Sequence, residues 1–239
     1  MRLQRDLGFY EKYIKRLLDI VCSLLFIIGF SWLYLIIAIV VKVKMGSPVI
    51  FKQPRPGIVK DGKETIFDMY KFRSMTDERD ENGELLPDQH RLPAFGAFLR
   101  STSLDELPEV FCILKGDMSV VGPRPQLVRD MVFMSDKQRM RHTAKPGLTG
   151  LAQVMGRNAI TWEEKLDWDL KYIEDVSFWG DVKILFQTVT AVFKRSGITD
   201  GENATALDYG DALLKAGKVS QPQYDALQAD AKKILGEHR

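Results

Sequence analysis

From Ile20 to Val41 the chain carries no charged residue: IVCSLLFIIGFSWLYLIIAIVV. At about 1.5 Å per residue, one straight helix of this run would cross a bilayer core of about 30 Å. Lys12, Lys15 and Arg16 precede the run, and Lys42 and Lys44 follow it. Basic flanks mark the cytoplasmic side of a membrane segment, and here both ends qualify. A helix that enters and returns on one face satisfies both flanks, with a break near Gly29, Phe30, Ser31 and Trp32. Glycine loosens a helix there, and a serine hydroxyl can bond back to a carbonyl and bend it. No proline forces the kink, and unsatisfied backbone in lipid argues for the straight span. The residues by themselves leave both geometries open. Asp19, about one turn from Arg16, is spaced for an interfacial pair.

The chain has 239 residues, enough for one sizeable domain or a domain with an appendage. Lys and Arg number 34 against 32 Asp and Glu, and a net charge of +2 argues against nucleic acid as a partner. Cys22 and Cys112 sit in apolar runs, with no metal spacing and no disulfide framework, which fits a reducing compartment. His90, His142 and His238 are scattered, which speaks against zinc. There is no internal repeat or low-complexity tract. The apolar run lacks a small-residue cleavage site and is long for a signal core, so no cleavable signal is expected.

The chemistry concentrates in STSLDELPEVFCILKGDMSVVGPRP, residues 101–125. Ser103 and Glu106 fit the S-x-x-E capping box, and Pro108 is tolerated only in a first turn, so a helix is predicted to start near Ser103 to Asp105. Val110, Phe111 and Leu114 then form an apolar stripe that stops at Gly116. The positive end of that helix would keep Asp105 ionised and attract a phosphate. An ionised carboxylate suits attack on phosphorus, and its neighbour Glu106 suits a metal. The plainer reading is that Glu106 completes a cap and Asp105 is a solvated first-turn acid; the local pattern alone favours it. Arg124 follows, held between Pro123 and Pro125.

Upstream, Val49 to Phe51 and Thr65 to Phe72 read as short strands joined at Asp61-Gly62. Lys52, Arg55, Lys71 and Arg73 could line an anionic pocket or face anionic lipid. Residues 76–91 are a charged, solvated face. The Gly-rich RHTAKPGLTGLAQVMGRN, residues 141–158, can bring backbone N–H groups to a ligand and ends near Arg157. Residues 162–194 are helical in pattern. Their apolar face, with Phe178, Trp179, Val182, Phe186 and Val189, suits either a membrane-surface helix or a core helix. Beyond a linker at Gly197 to Asn203, two short helices are expected, roughly Ala204 to Ala216 and Gln221 to Leu235, with Ser220 as the second N-cap. LLKAGKVSQPQYDAL resembles the short C-terminal helical hairpins called SHOCT, which would imply an interaction or oligomerisation element.

Taken together, FKQPRPG, YKFRSMTDERDENGELL, LRSTSLDELPEVF, LKGDMSVVGPRP, KPGLTGLAQVMGRNAITWEEK and FKRSG, in this order, resemble the bacterial sugar transferases known as small monotopic polyprenol-phosphate phosphoglycosyl transferases. The resemblance runs from about Tyr10 to Gly197. It implies a mostly α fold with a small β element. It also implies a re-entrant N-terminal membrane helix in residues 1–45, a catalytic domain over 46–200 with interfacial amphipathic helices around the active site, and a C-terminal helical-hairpin extension over 201–239. It implies transfer of a phospho-sugar from a UDP-sugar to undecaprenyl phosphate at the cytoplasmic face of the bacterial inner membrane, releasing UMP through an aspartyl-phosphosugar intermediate. Asp105 would be the nucleophile and Glu106 the Mg²⁺ ligand. Arg100, Arg124 and the flanking Pro123 and Pro125 would bind phosphate or nucleotide, with Lys71, Arg73 and Arg157 as further pocket residues. Two positions depart from the family pattern: Ser31 is followed by Trp32 rather than proline, and Lys145 stands where arginine is common, keeping charge but losing the bidentate fork.

Rival readings are a catalytically inactive membrane scaffold and a metal-dependent glycosyltransferase using Asp167-Trp168-Asp169. That D-x-D sits in WEEKLDWDLKYIED, which reads as helix rather than the end of a strand in a nucleotide-binding sheet.

Overall fold

A computed structural model describes residues 4–156, 160–193 and 207–238. It is mostly helical, with two small sheets of two strands each. A π-helical turn, Tyr10–Ile14, leads into α1 (Lys15–Gly29) and then α2 (Ser31–Met45). The two helices are bent by 65° at Phe30. Ser31 Oγ donates to the Ile28 carbonyl at 3.0 Å, the back-bond expected of a serine at a break. Among the described residues no single helix is long and apolar enough to cross a membrane; the apolar run is a bent helix pair, which suits either a broken span or a re-entrant loop.

Strands β1 (Ile50–Lys60) and β2 (Lys63–Phe72) are longer than the short segments predicted, and they meet at the expected Asp61-Gly62 turn. Both turn residues have positive φ, 53° and 80°, the pairing that matches hairpin twist. Pro54 and Pro56 lie inside β1. In a two-stranded ribbon one edge of the strand is unpaired, so a missing N–H there costs no ladder bond.

The chain divides into two compact units. One comprises Ile20–Gln53 and Asp68–Lys115. Its core is Ile37, Val41 and Met45 of α2 against Phe72 and Leu99. The charged segment is exposed as predicted and contains one short helix, α3 (Asp88–Arg91). Then come α4 (Ala94–Ser101), a 3₁₀ turn (Leu104–Glu106) and α5 (Glu109–Lys115).

The other unit comprises Met1–Asp19, Pro54–Phe67 and Gly116–Arg239. Here β3 (Ser119–Val121) leads past the Pro-Arg-Pro element to α6 (Val128–Met131), α7 (Asp136–Arg139) and β4 (Gly147–Thr149). β3 and β4 pair in parallel, Ser119 opposite Gly147 and Val121 opposite Thr149. A Cβ on Gly122 would fall 2.3 Å from the Lys145 carbonyl oxygen, and one on Gly147 would fall 2.1 Å from the Gly122 nitrogen. The glycines of the KPGLTG loop therefore serve backbone-to-backbone packing, a use that sequence alone does not separate from ligand approach. Asp19, spaced for a pair with Arg16, is buried in this unit rather than exposed at an interface. Its Oδ1 accepts from Ser119 Oγ at 3.0 Å and Val120 N at 2.9 Å.

After α8 (Leu151–Met155), the predicted helical stretch from residue 162 is two helices, α9 (Trp162–Glu174) and α10 (Phe178–Phe193). Thr161 and Glu164 form a reciprocal capping box at the start of α9. α10 buries Asp181 and Ile184 while Trp179 and Phe186 are 76% and 70% exposed, so its large apolar face is not a core face within this unit. The C-terminal helices are α11 (Tyr209–Lys215) and α12 (Gln221–His238); the predicted start at Ala204 lies outside the described residues. Ser220 donates its N–H and hydroxyl to Gln223 Oε1, consistent with its predicted place at the head of α12. Tyr209 and Leu213 pack with Met134 and Leu166, and Ala231 packs with Val128 and Met131.

Candidate active site

The dyad sits in a turn rather than at a helix start. Ser103 adopts a left-handed conformation, φ 56°, and its side chain makes no cap bond, so the predicted capping box does not form. The α-helix begins only at Glu109, one residue after Pro108. Leu107, before Pro108, keeps α-region dihedrals, φ -50° and ψ -41°, but Pro108 has no N–H to carry an α-helical ladder back into this segment, and the chain passes Leu104–Glu106 as a 3₁₀ turn. The turn is held from α2: Tyr34 Oη donates to the Leu107 carbonyl at 2.7 Å, and its ring meets Phe111 edge-on at 5.6 Å.

Asp105 is buried, 7% exposed. Burial pushes its carboxyl above the usual carboxylate range. The Lys71 ammonium pulls it back, the Glu106 carboxylate adds to the rise, and Arg100 pulls it down again. The expected helix-dipole ionisation is therefore corrected: cations, rather than an N-terminus, oppose the desolvation.

Lys71, at the end of β2, supplies the nearest of these charges. Its Nζ lies 2.8 Å from Glu106 Oε1 and 3.3 Å from Glu109 Oε1. Sequence reasoning does not single out Glu109. It stands on the first turn of α5 with its side chain 2% exposed. The available signal is its spacing of three and four residues from Glu106 and Asp105, together with an acid among apolar neighbours.

Arg100 closes α4. A Cβ at Gly96 would lie 1.9 Å from the Ser74 carbonyl oxygen, so only glycine lets α4 approach this segment so closely. One turn on, Arg100 Nε donates to Ser74 Oγ at 2.9 Å, while the rest of the residue stays exposed. Arg73 is buried and committed to structural partners: it donates to the carbonyls of Ser47, between α2 and β1, at 2.6 Å and of Met75 at 2.9 Å, and pairs with Asp77. Of the basic residues predicted to line a pocket, Lys52 lies over the Tyr70 ring at 5.8 Å, and Arg55 donates to the Pro125 carbonyl at 3.2 Å.

In the other unit, Pro123 and Pro125 are buried and Arg124 between them is half-buried. Its backbone is pinned: Arg141 Nη2 donates to the Arg124 carbonyl at 2.6 Å, and Gly147 N donates to that of Pro123 at 3.0 Å. Arg157 lies outside the described residues. In the D-x-D element Asp169 is buried in α9 and accepts from Arg141 Nε at 2.9 Å and Nη2 at 2.6 Å, so this carboxylate serves a buried ion pair. Lys145 is half-buried; burial, then Arg16, lowers its ammonium, with Asp19 and Asp117 opposing.

Residues 10–195 match the family model described as bacterial sugar transferase. A sugar transferase of Bacillus subtilis, EpsL, described as uncharacterized, is 47% identical over 193 residues, covering 81% of this chain and 94% of that protein. An undecaprenyl-phosphate galactose phosphotransferase of Salmonella typhimurium is 37% identical over 215 residues, 82% of this chain and 44% of that one. A UDP-glucose:undecaprenyl-phosphate glucose-1-phosphate transferase of Klebsiella pneumoniae is 44% identical over 185 residues, 73% and 39% respectively. The chain thus spans nearly all of the first relative and less than half of the other two. By class it is an enzyme, a transferase. It belongs to the bacterial sugar transferase family.

Proposed function

We propose that this protein transfers a phospho-sugar from a UDP-sugar to undecaprenyl phosphate, giving polyprenol-diphospho-sugar and UMP. The observation that carries the reading is the buried Asp105 beside Glu106, with two cations, Lys71 and Arg100, acting on its carboxyl. The names of the Salmonella and Klebsiella relatives, which pair undecaprenyl phosphate with a hexose phosphate, support the same chemistry.

In the first half-reaction an Asp105 carboxylate oxygen attacks the sugar-bearing phosphorus. An acyl-phosphate bond forms, the diphosphate P–O bond breaks, and its electron pair leaves with UMP. In the second, a phosphate oxygen of undecaprenyl phosphate attacks the same phosphorus and the Asp105 carboxylate departs, restoring the enzyme. Lys71 and Arg100 offset phosphate charge; Arg124, stiffened by its prolines, offers a planar fork of the kind that suits phosphate oxygens. Burial raises the Asp105 carboxyl, Lys71 and Arg100 oppose that rise, and a poorly solvated carboxylate is the more reactive nucleophile.

The site's donors fit Mg²⁺. They are carboxylate oxygens, and among the described residues no three His, Cys, Asp or Glu side chains gather into a self-sufficient cage. Mg²⁺ takes one or two carboxylates and completes its shell with substrate oxygens and water. Glu106 would hold it, and it would supply charge neutralisation on the diphosphate.

The site is assigned to the cytoplasmic face of the bacterial inner membrane, with α1 and α2 entering and leaving the same leaflet. The 65° bend and the exposure of Leu25, Ile28, Trp32 and Leu35 around it support this, as does the exposed apolar face of α10. Oligomerisation through residues 201–239 belongs to the same reading.

The test is UMP release by detergent-purified protein given undecaprenyl phosphate, Mg²⁺ and a panel of UDP-sugars. Wild type should release UMP, and intact mass with donor alone should show a phosphosugar adduct that Asp105→Asn lacks. UDP instead of UMP would mean a glycosyltransferase, and no nucleotide from any donor would favour the scaffold. Near-normal turnover of Asp105→Asn would sink the nucleophile assignment.

A further inference from the structure

The Lys71 ammonium is shared between Glu106 at 2.8 Å and Glu109 at 3.3 Å. The two carboxylates are not equivalent. The Glu109 side chain is 2% exposed at the foot of α5, whereas that of Glu106 is 18% exposed on the turn before it. A buried charge that loses its partner costs several kcal/mol, so whichever carboxylate leaves Lys71 must leave it a counter-ion. The more exposed Glu106 is the one placed to turn toward a ligand, and the buried Glu109 is the one that stays.

We propose that Glu109 is a positioning residue for the transfer reaction: it retains the Lys71 ammonium beside Asp105 so that Glu106 can exchange Lys71 for a divalent cation. This rests on the reading of Glu106 as the cation's ligand. Three N–H donors on one ammonium allow both pairs to coexist at rest. When Glu106 turns to a cation, Lys71 keeps a full counter-ion and stays where it meets the donor diphosphate. Without the Glu109 charge, the ammonium leans more heavily on Glu106 and competes with the cation for it.

The effect is read by titrating Mn²⁺ into the detergent-solubilised full chain, following free Mn²⁺ by EPR, and separately by the Mg²⁺ dependence of UMP release. Glu109→Gln preserves shape and removes charge. It should weaken Mn²⁺ binding and raise the Mg²⁺ concentration for half-activity about tenfold, with kcat at saturating Mg²⁺ within about threefold of wild type; Glu109→Asp should recover part of the loss. In a Lys71→Met background the competing ammonium is gone, so Glu109→Gln should no longer shift Mn²⁺ affinity. A shift of equal size in both backgrounds, or no shift in either, overturns the proposal. A kcat collapse with unchanged metal affinity also overturns it, and marks Glu109 as merely structural. If wild type releases no UMP from any donor, the functional reading itself fails; if it does, and Glu109→Gln binds Mn²⁺ normally, only the present inference fails.

Discussion

Arg141 and Asp169 provide the most quantitative test of the fold around the Pro-Arg-Pro element. Their side chains are 1% and 2% exposed, and the guanidinium reaches both the Asp169 carboxylate and the Arg124 carbonyl. Burial raises the Asp169 carboxyl and Arg141 counters it. Arg141→Met keeps much of the volume but strands a buried carboxylate, which costs about 3–5 kcal/mol. At roughly 2–4 °C per kcal/mol for a chain of this size, that is a fall in Tm of about 6–20 °C. The deficit should shrink as pH falls, because a proton neutralises the stranded carboxyl. Arg141→Met combined with Asp169→Leu removes both charges and should recover most of the loss. Donor KM should stay raised in the double variant, because the bond to the Arg124 carbonyl is absent in both. Thermal unfolding of the three detergent-purified proteins at pH 5.5 and 8 decides the matter. A single variant within about 1 kcal/mol of wild type, or a double variant no better than the single, would refute the buried-pair account.

Other outcomes follow from the same structure. Gly122→Ala places a Cβ 2.3 Å from the Lys145 carbonyl oxygen and should lower stability by about 1–3 kcal/mol in thermal melts, because the obstacle is backbone. His142 is held at about 4, first by burial and despite its bond to Glu64, so the unfolded chain takes up its proton from about pH 6.5 while the native one does not. Its contribution is therefore complete above pH 6.5 and lost on acidification to about 4, roughly 3 kcal/mol, which melts of wild type and His142→Asn across that window would reveal as a flatter variant profile. Glu64 extends the loss: burial would raise its carboxyl, but His142 and Arg139 hold it at about 2, so its share disappears below about 4.5. Single cysteines at Lys12 and Lys44, with Cys22 and Cys112 replaced, should both be labelled from the cytoplasmic side; opposite-side labelling would defeat the re-entrant reading.

Much of this molecule is written locally. The break near Ser31 and the Asp61-Gly62 turn each depend on residues within a few positions, so local chemistry announces them. Sequence and structure part where one local signal has two physical readings. Ser103 and Glu106 spell a capping box, yet Pro108 and the left-handed Ser103 produce a 3₁₀ turn, with the helix delayed to Glu109. The prolines inside β1 are tolerated where a strand edge is unpaired, and that edge is a property of the sheet.

The sequence by itself determined the family and the uncharged apolar run from Ile20 to Val41, and it set Asp105 and Glu106 side by side, since these rest on order and spacing along the chain. Tertiary structure alone decided what surrounds that pair. It buried Asp105, brought Lys71 from a strand to two acids more than thirty positions away, and gave Asp169 to Arg141 rather than to a metal. The reason is desolvation: the strength of a charge depends on which distant residues exclude water from it, and no local pattern carries that information.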